Sequence, residues 1–502
     1  MNISTLLGDL QTGFGVALTP GNLMFGMIGV MLGTAVGVLP GLGPSVAIAI
    51  LLPLTFGLEP TSAFILFGGI YYGTMYGGST TAILINTPGD ASASVSTFEG
   101  YPMAKKGQGG VALATAAIGS FIGGTFATFM LMLVATSLAA VSLLFGPPEY
   151  FALMLLALTM VTAMAGQSAS RAGVALCLGL GLSMIGIDLQ TGEPRFTMGL
   201  PELYGGIDVA LGAVGLFAVG EALWLIAAPP SGPGEKLPTN RLWLTVQEWK
   251  RCAVPWMRGT IVGFCSGILP GTGATLATFL SYGVEKKFAK NPKEFGKGAI
   301  EGLAGPEAAN NAAAGASMVP LLALGIPGSA TTAVMLVAFQ MYGLQPGPSL
   351  LENNKELVWG LIASLYVANV LLVILNLPLV GLWVQLLKIP KGLLTGVILV
   401  FATVGAFSLQ GSLGDVAIVW LLGIAAFFLR RYGFPVAPVL LGLVLGPLIE
   451  QELRRSLAMS SGDPTIFFTR PIAVTVLLVV AASITVTLVS RLRKPREQGV
   501  TA

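Results

Sequence analysis

The chain has 502 residues, of which 54% are hydrophobic and 10% charged, and its net charge is +3. Its mean hydropathy is +0.82, which is too apolar for an ordinary soluble protein and predicts a polytopic membrane protein. The small net charge gives no indication of a nucleic-acid partner. The sequence contains no histidine, which excludes imidazole metal ligands and Ser-His or Cys-His catalysis.

Other signatures of catalysis are also missing from the sequence. The three cysteines, Cys177, Cys252 and Cys265, are scattered without a CxxC spacing, and no GxxxxGK[ST] phosphate loop occurs. Scattered cysteines behave as small apolar residues, and a chain without the phosphate loop is not expected to hydrolyse ATP. The sequence therefore predicts neither enzyme activity nor a cofactor.

The N-terminal region predicts a surface helix followed by a broken membrane segment. Residues 1–20 carry one acid, Asp9, before a Pro-Gly turn, which favours a helix at the membrane surface. Residues 22–58 are then almost entirely apolar and contain the sequence GVLPGLG at 37–43. Proline and glycine end a helix, and each arm is short for a span of about 20 residues. We therefore expect a re-entrant hairpin.

A second break follows in the same half, with the sequence NTPGD at 86–90. The segment before it, residues 71–81, is rich in small and polar residues that lipid would not favour. Backbone groups freed by such a break are tolerated in a membrane only where protein or a water-filled cavity surrounds them. The two breaks therefore indicate a site inside the protein, although a structural kink is the alternative for each one.

Both breaks recur in the second half of the chain. The sequence GILPGTG at 267–273 matches five of the seven positions of the first break, 230 residues later (267 minus 37). A further Pro-Gly break lies at 325–329. The prolines of the two breaks are 48 residues apart in the first half (88 minus 40) and 57 in the second (327 minus 270). A lysine-rich insertion at 285–297 accounts for this difference. Matched breaks in two halves are typical of transporters built from repeats, with the binding site at the breaks.

The flanking charges predict opposite orientations for the two repeats. Residues 259–284 number 26 (284 minus 259, plus one) and lie between Arg258 and a cluster of lysines. Two spans would need about 40 residues, so this segment is also expected to be re-entrant. Basic residues on both flanks place both ends in the cytoplasm. The first hairpin is flanked by the acids Asp9 and Glu59 instead, so the repeats are expected to be inverted.

Together these patterns predict an all-α polytopic membrane protein with about 10–12 membrane segments in two inverted repeats that contain re-entrant or broken helices. Residues 1–228 are expected to form the first membrane repeat, 229–256 a basic cytoplasmic linker loop, and 257–502 the second repeat with C-terminal helices. Basic residues after the last apolar stretch place the C-terminus in the cytoplasm. Plainer helices are expected at 111–145, 150–166, 171–187, 205–228, 356–387, 392–408, 412–429, 434–449 and 469–490.

Helices that restart after a break present unpaired N–H groups to it, and these bind anions without a basic side chain. A carboxylate is therefore the expected substrate. The breaks also free carbonyl groups that can coordinate Na⁺, and Asp90 and Glu307 are candidates for an ion or proton site. The expected substrate-binding residues are Gly41, Gly43, Ser45, Asn86, Pro88, Gly89, Gly271, Gly273, Thr275, Asn310, Asn311, Pro327, Gly328 and Ser329. The expected ion-binding residues are Gly37, Pro40, Gly267, Pro270, Thr272 and Glu307.

Several long motifs, taken in order, resemble the large integral-membrane subunit of the tripartite tricarboxylate transporters, the TctA family. The resemblance covers nearly the whole chain. The motifs are the break at 37–44, the sequence YGGSTTAILINTPG at 76–89, the break at 267–273, and the sequence GPEAANN at 305–311 leading to the break at 325–329.

The resemblance implies a permease of the bacterial inner membrane that takes up carboxylates such as citrate. Its implied partners are a periplasmic solute-binding protein and a small integral-membrane subunit, with symport of Na⁺ or H⁺ rather than ATP as the driving force. A carboxylate permease or channel that works alone is the alternative within transport. A membrane-embedded enzyme and a structural protein are the alternatives outside it.

Overall fold

The computed structural model of the protein is almost entirely helical. Its one two-stranded sheet within the described ranges is a short antiparallel hairpin of β1 Gly186–Ile187 and β2 Pro194–Arg195. Six helical stretches among the described residues are long and apolar enough to cross a membrane, which confirms the prediction of an all-α polytopic membrane protein. The structure describes residues 3–142, 144–164, 169–188, 190–227 and 241–493.

Helices in the first half follow one another closely. They are α1 Ile3–Ala17, α2 Pro20–Val38, α3 Pro44–Leu51, α4 Pro60–Ile85, α5 Ser96–Met103, α6 Gly109–Ser142, α7 Pro147–Met164, α8 Ala169–Ser183, α9 Val209–Ala213 and α10 Gly220–Ala227. Short 3-10 or π-helical segments join or extend them at Pro53–Thr55, Ser92–Val95, Ala104–Gln108, Pro201–Leu203 and Val214–Val219.

The second half continues in the same way, with 3-10 turns at Pro292–Glu294 and Leu386–Lys388. Its helices are α11 Val246–Gly267, α12 Gly273–Phe288, α13 Ile300–Ala316, α14 Met318–Leu324, α15 Ala330–Met341, α16 Pro348–Asn353, α17 Lys355–Asn376, α18 Val380–Gln385, α19 Lys391–Gln410, α20 Leu413–Arg431, α21 Ala437–Met459, α22 Ile466–Thr469 and α23 Pro471–Arg493.

The plainer helices expected from the sequence are present, with two corrections. The helix expected at 356–387 ends with α17 and resumes as α18, because Pro378 cannot continue the hydrogen bonding of α17. The helix expected at 171–187 ends at Ser183. Gly186 follows with φ +128°, a backbone conformation that favours glycine, and the chain enters β1.

The predicted linker loop at 229–256 lies partly outside the described residues, which resume at position 241. From Val246 onward the segment is helical and belongs to α11, so the prediction of a loop there was wrong. The hydroxyl of Thr245 accepts the N–H of Glu248, whose carboxylate accepts the N–H of Thr245 in return. This capping box is a known sequence signal for the start of a helix.

Close helix pairs organise both repeats. Glycines one turn apart lie against the neighbouring helix, where an added Cβ would stand within 2.5 Å of a backbone oxygen. Small residues at this spacing let membrane helices approach closely. The contacts are Gly29–Leu66, Gly33–Ile70 and Gly37–Thr74 in the first repeat, and Gly259–Gly305, Gly263–Ala309 and Gly267–Ala313 in the second.

Residue numbers rise together along these contacts, so α2 is parallel to α4 and α11 is parallel to α13. The chain between the parallel helices must therefore turn back, through α3 in the first repeat and α12 in the second. This geometry agrees with the hairpins predicted from the sequence. One arm is longer than expected, since α2 has 19 residues and is long enough to cross a membrane. The opposite orientation of the repeats and the number of membrane segments stay predictions.

Candidate functional site

All four breaks expected from the sequence are present as interruptions between helical segments. We call residues 37–45 and 86–92 the first break pair, and residues 267–275 and 325–332 the second break pair. In each pair, one break lies at the tip of the hairpin and the other follows the parallel helix. Both pairs are therefore discontinuities within a helical repeat, the arrangement in which transporters bind substrates and ions.

Each repeat brings its two breaks into direct contact. The N–H of Gly41 donates to the carbonyl oxygen of Gly89 at 2.9 Å, and the N–H of Gly271 donates to that of Gly328 at 2.9 Å. Gly41 and Gly271 have φ values of +87° and +82°, which glycine adopts without steric cost. The sequence thus correctly identified two equivalent turns, and the structure joins each to its partner break.

The ends of α4 and α14 repeat this correspondence. Asn86 and Gly325 both end their helices in the left-handed conformation, with φ of +55° and +70°. They are 239 residues apart (325 minus 86), as are Pro88 and Pro327 (327 minus 88). Asparagine and glycine are the residues that most often occupy such helix ends. The duplication therefore extends to the backbone conformation at these helix ends, whereas Gly43 and its counterpart Gly273 differ, with φ of −77° and +59°.

Hydroxyl groups satisfy one another in the second break pair. The N–H of Ser329 donates to Oγ1 of Thr332 at 2.8 Å, and the N–H of Thr332 donates to Oγ of Ser329 at 3.2 Å. From α4 of the other repeat, the hydroxyl of Tyr71 lies 3.1 Å from Oγ of Ser317 and 3.5 Å from Oγ of Ser329. The hydroxyl groups of this break pair are therefore hydrogen-bonded to one another and to Tyr71 of the other repeat.

Thr272 extends this hydrogen bonding to the tip of the second hairpin. Its hydroxyl lies 2.5 Å from the carbonyl oxygen of Ser266 and 2.9 Å from that of Leu269. The oxygen of Ser266 also accepts the N–H of Leu269, so both of its lone pairs are used. The prediction that the breaks leave such carbonyl groups unpaired was wrong at Ser266.

The first break pair has different side chains at the equivalent positions. Leu42 corresponds to Thr272 (272 minus 230), and Asp90 corresponds to Ser329 (329 minus 239). Oδ1 of Asp90 accepts the N–H of Ala93 at 3.1 Å, and the hydroxyl of Ser92 lies 2.9 Å from both carboxylate oxygens. A carboxylate therefore occupies the place that a hydroxyl takes in the second pair.

Glu307 is a second carboxylate close to the first break pair. It is 1% exposed on α13 and accepts hydrogen bonds from the hydroxyls of Ser79, at 2.8 Å, and Ser96. Ser79 follows Gly78, where an added Cβ would stand 3.5 Å from Oδ1 of Asp90. No ion pair to Glu307 occurs among the described residues. A buried carboxylate of this kind in a membrane protein indicates an ion or proton site.

Two buried asparagines follow Glu307 on α13. Asn311 donates from Nδ2 to the carbonyl oxygen of Glu307 at 3.5 Å. Both polar atoms of Asn310, and Oδ1 of Asn311, have no hydrogen-bond partner within the described part of the chain. An unsatisfied buried polar group costs about 1–3 kcal/mol. These amides therefore mark a place suited to a polar ligand.

The correspondence between the two repeats predicts which break pair Asn310 lies near. Asn310 is the counterpart of Tyr71 (310 minus 71 is 239). Tyr71 extends from α4 of the first repeat to Ser329 of the second break pair. By the same relation we expect Asn310, on α13 of the second repeat, to lie near the first break pair and Asp90.

An ion pair also lies beside the first break pair. Arg430 of α20 bonds Glu221 of α10 and stacks 4.7 Å from the ring centroid of Trp224. Oε1 of Glu221 is 3.4 Å from the position that a Cβ would take on Gly41. No basic residue is close to this break in the sequence, and Arg430 is paired with Glu221, so anion binding without a basic side chain stays a prediction.

The other predicted site residues also lie in the two break pairs. Gly43 lies near Asp90, whose Cβ would be 3.7 Å from a Cβ at Gly43, whereas Gly273 has φ +59° and open space around it. Gly37 and Gly267 are packed against the parallel helices. The partly exposed members are Pro40, Ser45, Pro88, Pro270 and Thr275, and Pro327 is buried.

Several residues that the fold brings to these sites were not among the predicted site residues. Tyr71 would have been found by aligning the halves at the spacing of 239 residues, because it corresponds to Asn310. The remaining residues have no comparable signal, since their partners are distant in the chain. They are Ser79, Ser96, Ser317, Glu221 and Arg430.

Comparison with known proteins agrees with these features. Residues 23–441 match the Tripartite tricarboxylate transporter TctA family. The relative described as "Uncharacterized 52.8 kDa protein in TAR-I ttuC' 3'region" of Agrobacterium vitis is 47% identical over 493 residues, which cover 98% of each chain. The "Uncharacterized protein in TAR-II ttuC' 3'region" of the same organism is 48% identical over 236 residues, 47% of this chain and 98% of that one. No solved structure matches. The family match confirms the resemblance seen in the sequence motifs, and the chain belongs to the tripartite tricarboxylate transporter TctA family.

Proposed function

We propose that this chain is the permease subunit of a secondary-active uptake system for tricarboxylates or related carboxylates in the bacterial inner membrane. A periplasmic solute-binding protein delivers the substrate, and a small integral-membrane subunit completes the complex. A gradient of Na⁺ or H⁺ drives uptake. Membership of the TctA family and the six membrane-length helices support a multi-pass transport protein.

The first break pair is the proposed binding site because it carries the carboxylate of Asp90 and because the repeat relation predicts that Asn310 lies near it. Asn310 has both polar atoms unpaired within the described residues, and Asp90 and Glu307 are carboxylates in a largely apolar protein. The substrate anion is held by the asparagine amides and by the N–H of Ser45 at the start of α3. Pro44 has no N–H, and those of Val46 and Ala47 donate to the carbonyl oxygen of Gly43. A cation or proton at the two carboxylates offsets the negative charge of the substrate.

Glu307 also couples ion binding to the contact between the two repeats. Its carboxylate belongs to the second repeat, while Ser79 and Ser96, which donate to it, belong to the first. Binding of a cation or proton at Glu307 changes these inter-repeat hydrogen bonds. The cation favours anion binding at the same place, and by linkage the anion favours cation binding by the same factor.

Uptake by reconstituted protein tests this proposal. The purified chain is placed in proteoliposomes with or without the small subunit and the binding protein, and uptake of radiolabelled citrate is followed under an inward Na⁺ gradient, an inward H⁺ gradient or none. We expect uptake only when both partners and one of the gradients are present. Full uptake by the chain alone would favour a self-sufficient permease, and equal uptake without a gradient would favour a channel.

A further inference from the structure

A basic cavity lies at the loop between α12 and α13, and none of its lining residues belongs to either break pair. Its volume is about 750 Å³. We call Lys106, Lys290, Lys293 and Lys297 the cavity lysines. The charged residues that line the cavity are these four lysines with Arg251 and Glu294.

The cavity has a surplus of positive charge. Arg251 is neutralised, because its guanidinium donates to the carboxylate of Glu301 at 2.7 and 2.8 Å and lies 3.4 Å from Glu294. Lys106 donates to the carbonyl oxygen of Lys297 at 2.5 Å, a contact that leaves its charge uncompensated. No acid forms an ion pair with a cavity lysine in the ranges that the structure describes. The cavity therefore favours an anion.

The loop between α12 and α13, which carries three of the cavity lysines (Lys290, Lys293 and Lys297), is anchored by Glu99. The carboxylate of Glu99, a residue of the first repeat, is fully buried and accepts four hydrogen bonds from the second repeat. Because three of its donors are backbone N–H groups, the loop is fixed while the lysine side chains stay free to bind, and such preorganisation lowers the cost of binding. The donors are Tyr282 at 2.8 Å, Gly296 at 2.5 Å, Gly298 at 2.7 Å and Ala299 at 2.8 Å.

An apolar rim adjoins the basic cavity. A second cavity of about 580 Å³ shares Arg251, Lys290, Asn291 and Glu294 with the first and extends to Val254 and Phe288. Its other charged lining residues are Lys250, Arg258, Glu285 and Glu301; Arg258 is paired with Glu285, and Arg251 with Glu301. Val254 and Phe288 are 57% and 62% exposed, and Met257 one turn along α11 is 53% exposed. Exposed apolar side chains next to a basic cavity suit a ligand with a charged head and an apolar tail.

We propose that the cavity and this rim bind an anionic phospholipid, with its phosphate at the cavity lysines and its acyl chains along α11. A soluble anion would satisfy the lysines and leave the rim exposed to water. Basic pockets beside membrane helices on the cytoplasmic side bind anionic head groups, and the lysine-rich flank predicts that side for this loop. The lipid site is separate from the break pairs and does not depend on the transported substrate.

Lipid titration of the delipidated full chain tests the site. Native mass spectrometry measures binding of phosphatidylglycerol and phosphatidylcholine to the wild type, to the double variant Lys290→Gln with Lys293→Gln, and to the control Lys286→Gln with Lys287→Gln. The control removes the same charge from the adjoining last turn of α12, at exposed lysines outside the cavity lining. Each lysine contributes about 1 kcal/mol of attraction to anionic lipid, so we expect about 30-fold weaker phosphatidylglycerol binding in the cavity variant and little change in the control.

Thermal unfolding supplies a second readout. Phosphatidylglycerol should raise the Tm of the wild type and the control, and should no longer raise that of the cavity variant. Both doubles should fold, since the backbone N–H donors to Glu99 remain. Equal loss of binding in the two doubles would assign the effect to diffuse charge and overturn the site. Equal binding of phosphatidylcholine, or the same rise in Tm with inorganic phosphate alone, would also overturn it.

Discussion

The first and second break pairs share several backbone features and differ in their side chains. Each is joined by a glycine N–H to glycine carbonyl bond of 2.9 Å. In the second pair, the hydroxyl of Thr272 donates to backbone carbonyl oxygens, and the hydroxyl of Ser329 accepts the N–H of Thr332. In the first pair, Leu42 and Asp90 stand at those positions. The two break pairs therefore share the bond that joins their breaks, but only the first break pair has a carboxylate at its break.

The equivalent helices α4 and α13 also differ in the polarity of their side chains. Glu307 of α13 corresponds to Gly68 of α4 (307 minus 239). An added Cβ at Gly68 would meet the side chains of Leu365 and Leu361 at 3.0 and 3.2 Å, whereas Glu307 meets serine hydroxyls. One place is apolar and filled, and the other is polar and charged. Equivalent positions in an internal repeat can thus have separate functions, and paired substitutions can separate them.

The largest expected difference concerns glycines at the contact between breaks. At Gly89 an added Cβ would stand 2.1 Å from the oxygen of Gly37 and 2.5 Å from Cα of Gly78, whereas at Gly328 the nearest atoms belong to Ser317 at 3.1 Å. Overpacking against backbone costs about 3 kcal/mol or more. Gly89→Ala should therefore abolish uptake and lower the Tm sharply, and Gly328→Ala should cost only about 1 kcal/mol. Equal losses of Tm would show that the two contacts are equally tight.

The next effect concerns the buried carboxylate. Glu307→Gln keeps the size of the side chain and removes its charge, and hydrogen bonds to charged groups contribute about 1.5–3 kcal/mol. Uptake per folded molecule should fall about 10- to 150-fold and lose its dependence on the driving ion. Glu301→Gln, on the same helix but paired with Arg251, is the control and should keep the ion dependence. Uptake by both variants is measured over a range of Na⁺ concentrations and pH values. An unchanged ion dependence in Glu307→Gln would contradict the assignment of Glu307 to the ion or proton site.

Asn310 and Tyr71 allow a comparison at equivalent positions. Asn310→Ala removes an amide without partners in the described ranges, so the Tm should not fall, while substrate affinity should fall about tenfold. Tyr71→Phe removes the hydroxyl contacts to Ser317 and Ser329 and should cost about 1 kcal/mol of stability with KM unchanged. Uptake kinetics and thermal unfolding of both variants give the result. A lower Tm and normal KM in Asn310→Ala would mean that Asn310 is only structural.

The breaks and the helices were predictable because their signals are local. Proline and glycine interrupt helices wherever they stand, and apolar stretches between them have the length of membrane helices. The duplication was visible because the breaks repeat in order. The capping box at Thr245 and Glu248 was also present in the sequence, and recognising it would have corrected the predicted linker loop.

The composition of the site was less predictable because it depends on contacts between distant segments. Ser79 and Ser96 meet Glu307 across the repeat interface, and no spacing along the chain indicates this. Glu221 and Arg430 form a pair next to a break that has no basic residue near it in the sequence. Hydrogen bonding in the second break pair likewise includes Tyr71 from the other repeat. Local rules predict where a helix ends, and tertiary packing decides what the end contacts.

The smallest expected effect on transport comes from cysteines that report the orientation of the two hairpins. Lys250 and Lys286 lie near the ends of the second hairpin, and Leu18 and Phe56 near the ends of the first; all four are exposed. Exposed substitutions change stability by about 0.5 kcal/mol or less, so uptake should change by about twofold or less. Cysteines at the two lysines should react with a membrane-impermeant reagent only from the cytoplasm, and those at Leu18 and Phe56 only from the periplasm.

The labelling needs a background without reactive native thiols. Cys177 and Cys265 are exposed and Cys252 is buried, so Cys177 and Cys265 are replaced by alanine. The protein with these two replacements and no introduced cysteine is the control for residual labelling. Because α2 and α11 each run parallel to the helix after their hairpin, both ends of one hairpin must lie on the same side if the hairpin is re-entrant. Labelling of Lys250→Cys and Lys286→Cys from opposite faces would exclude a re-entrant second hairpin. Labelling of all four positions from one face would be consistent with two re-entrant hairpins but would exclude an inverted repeat. The two break pairs would then not be reached from opposite sides of the membrane.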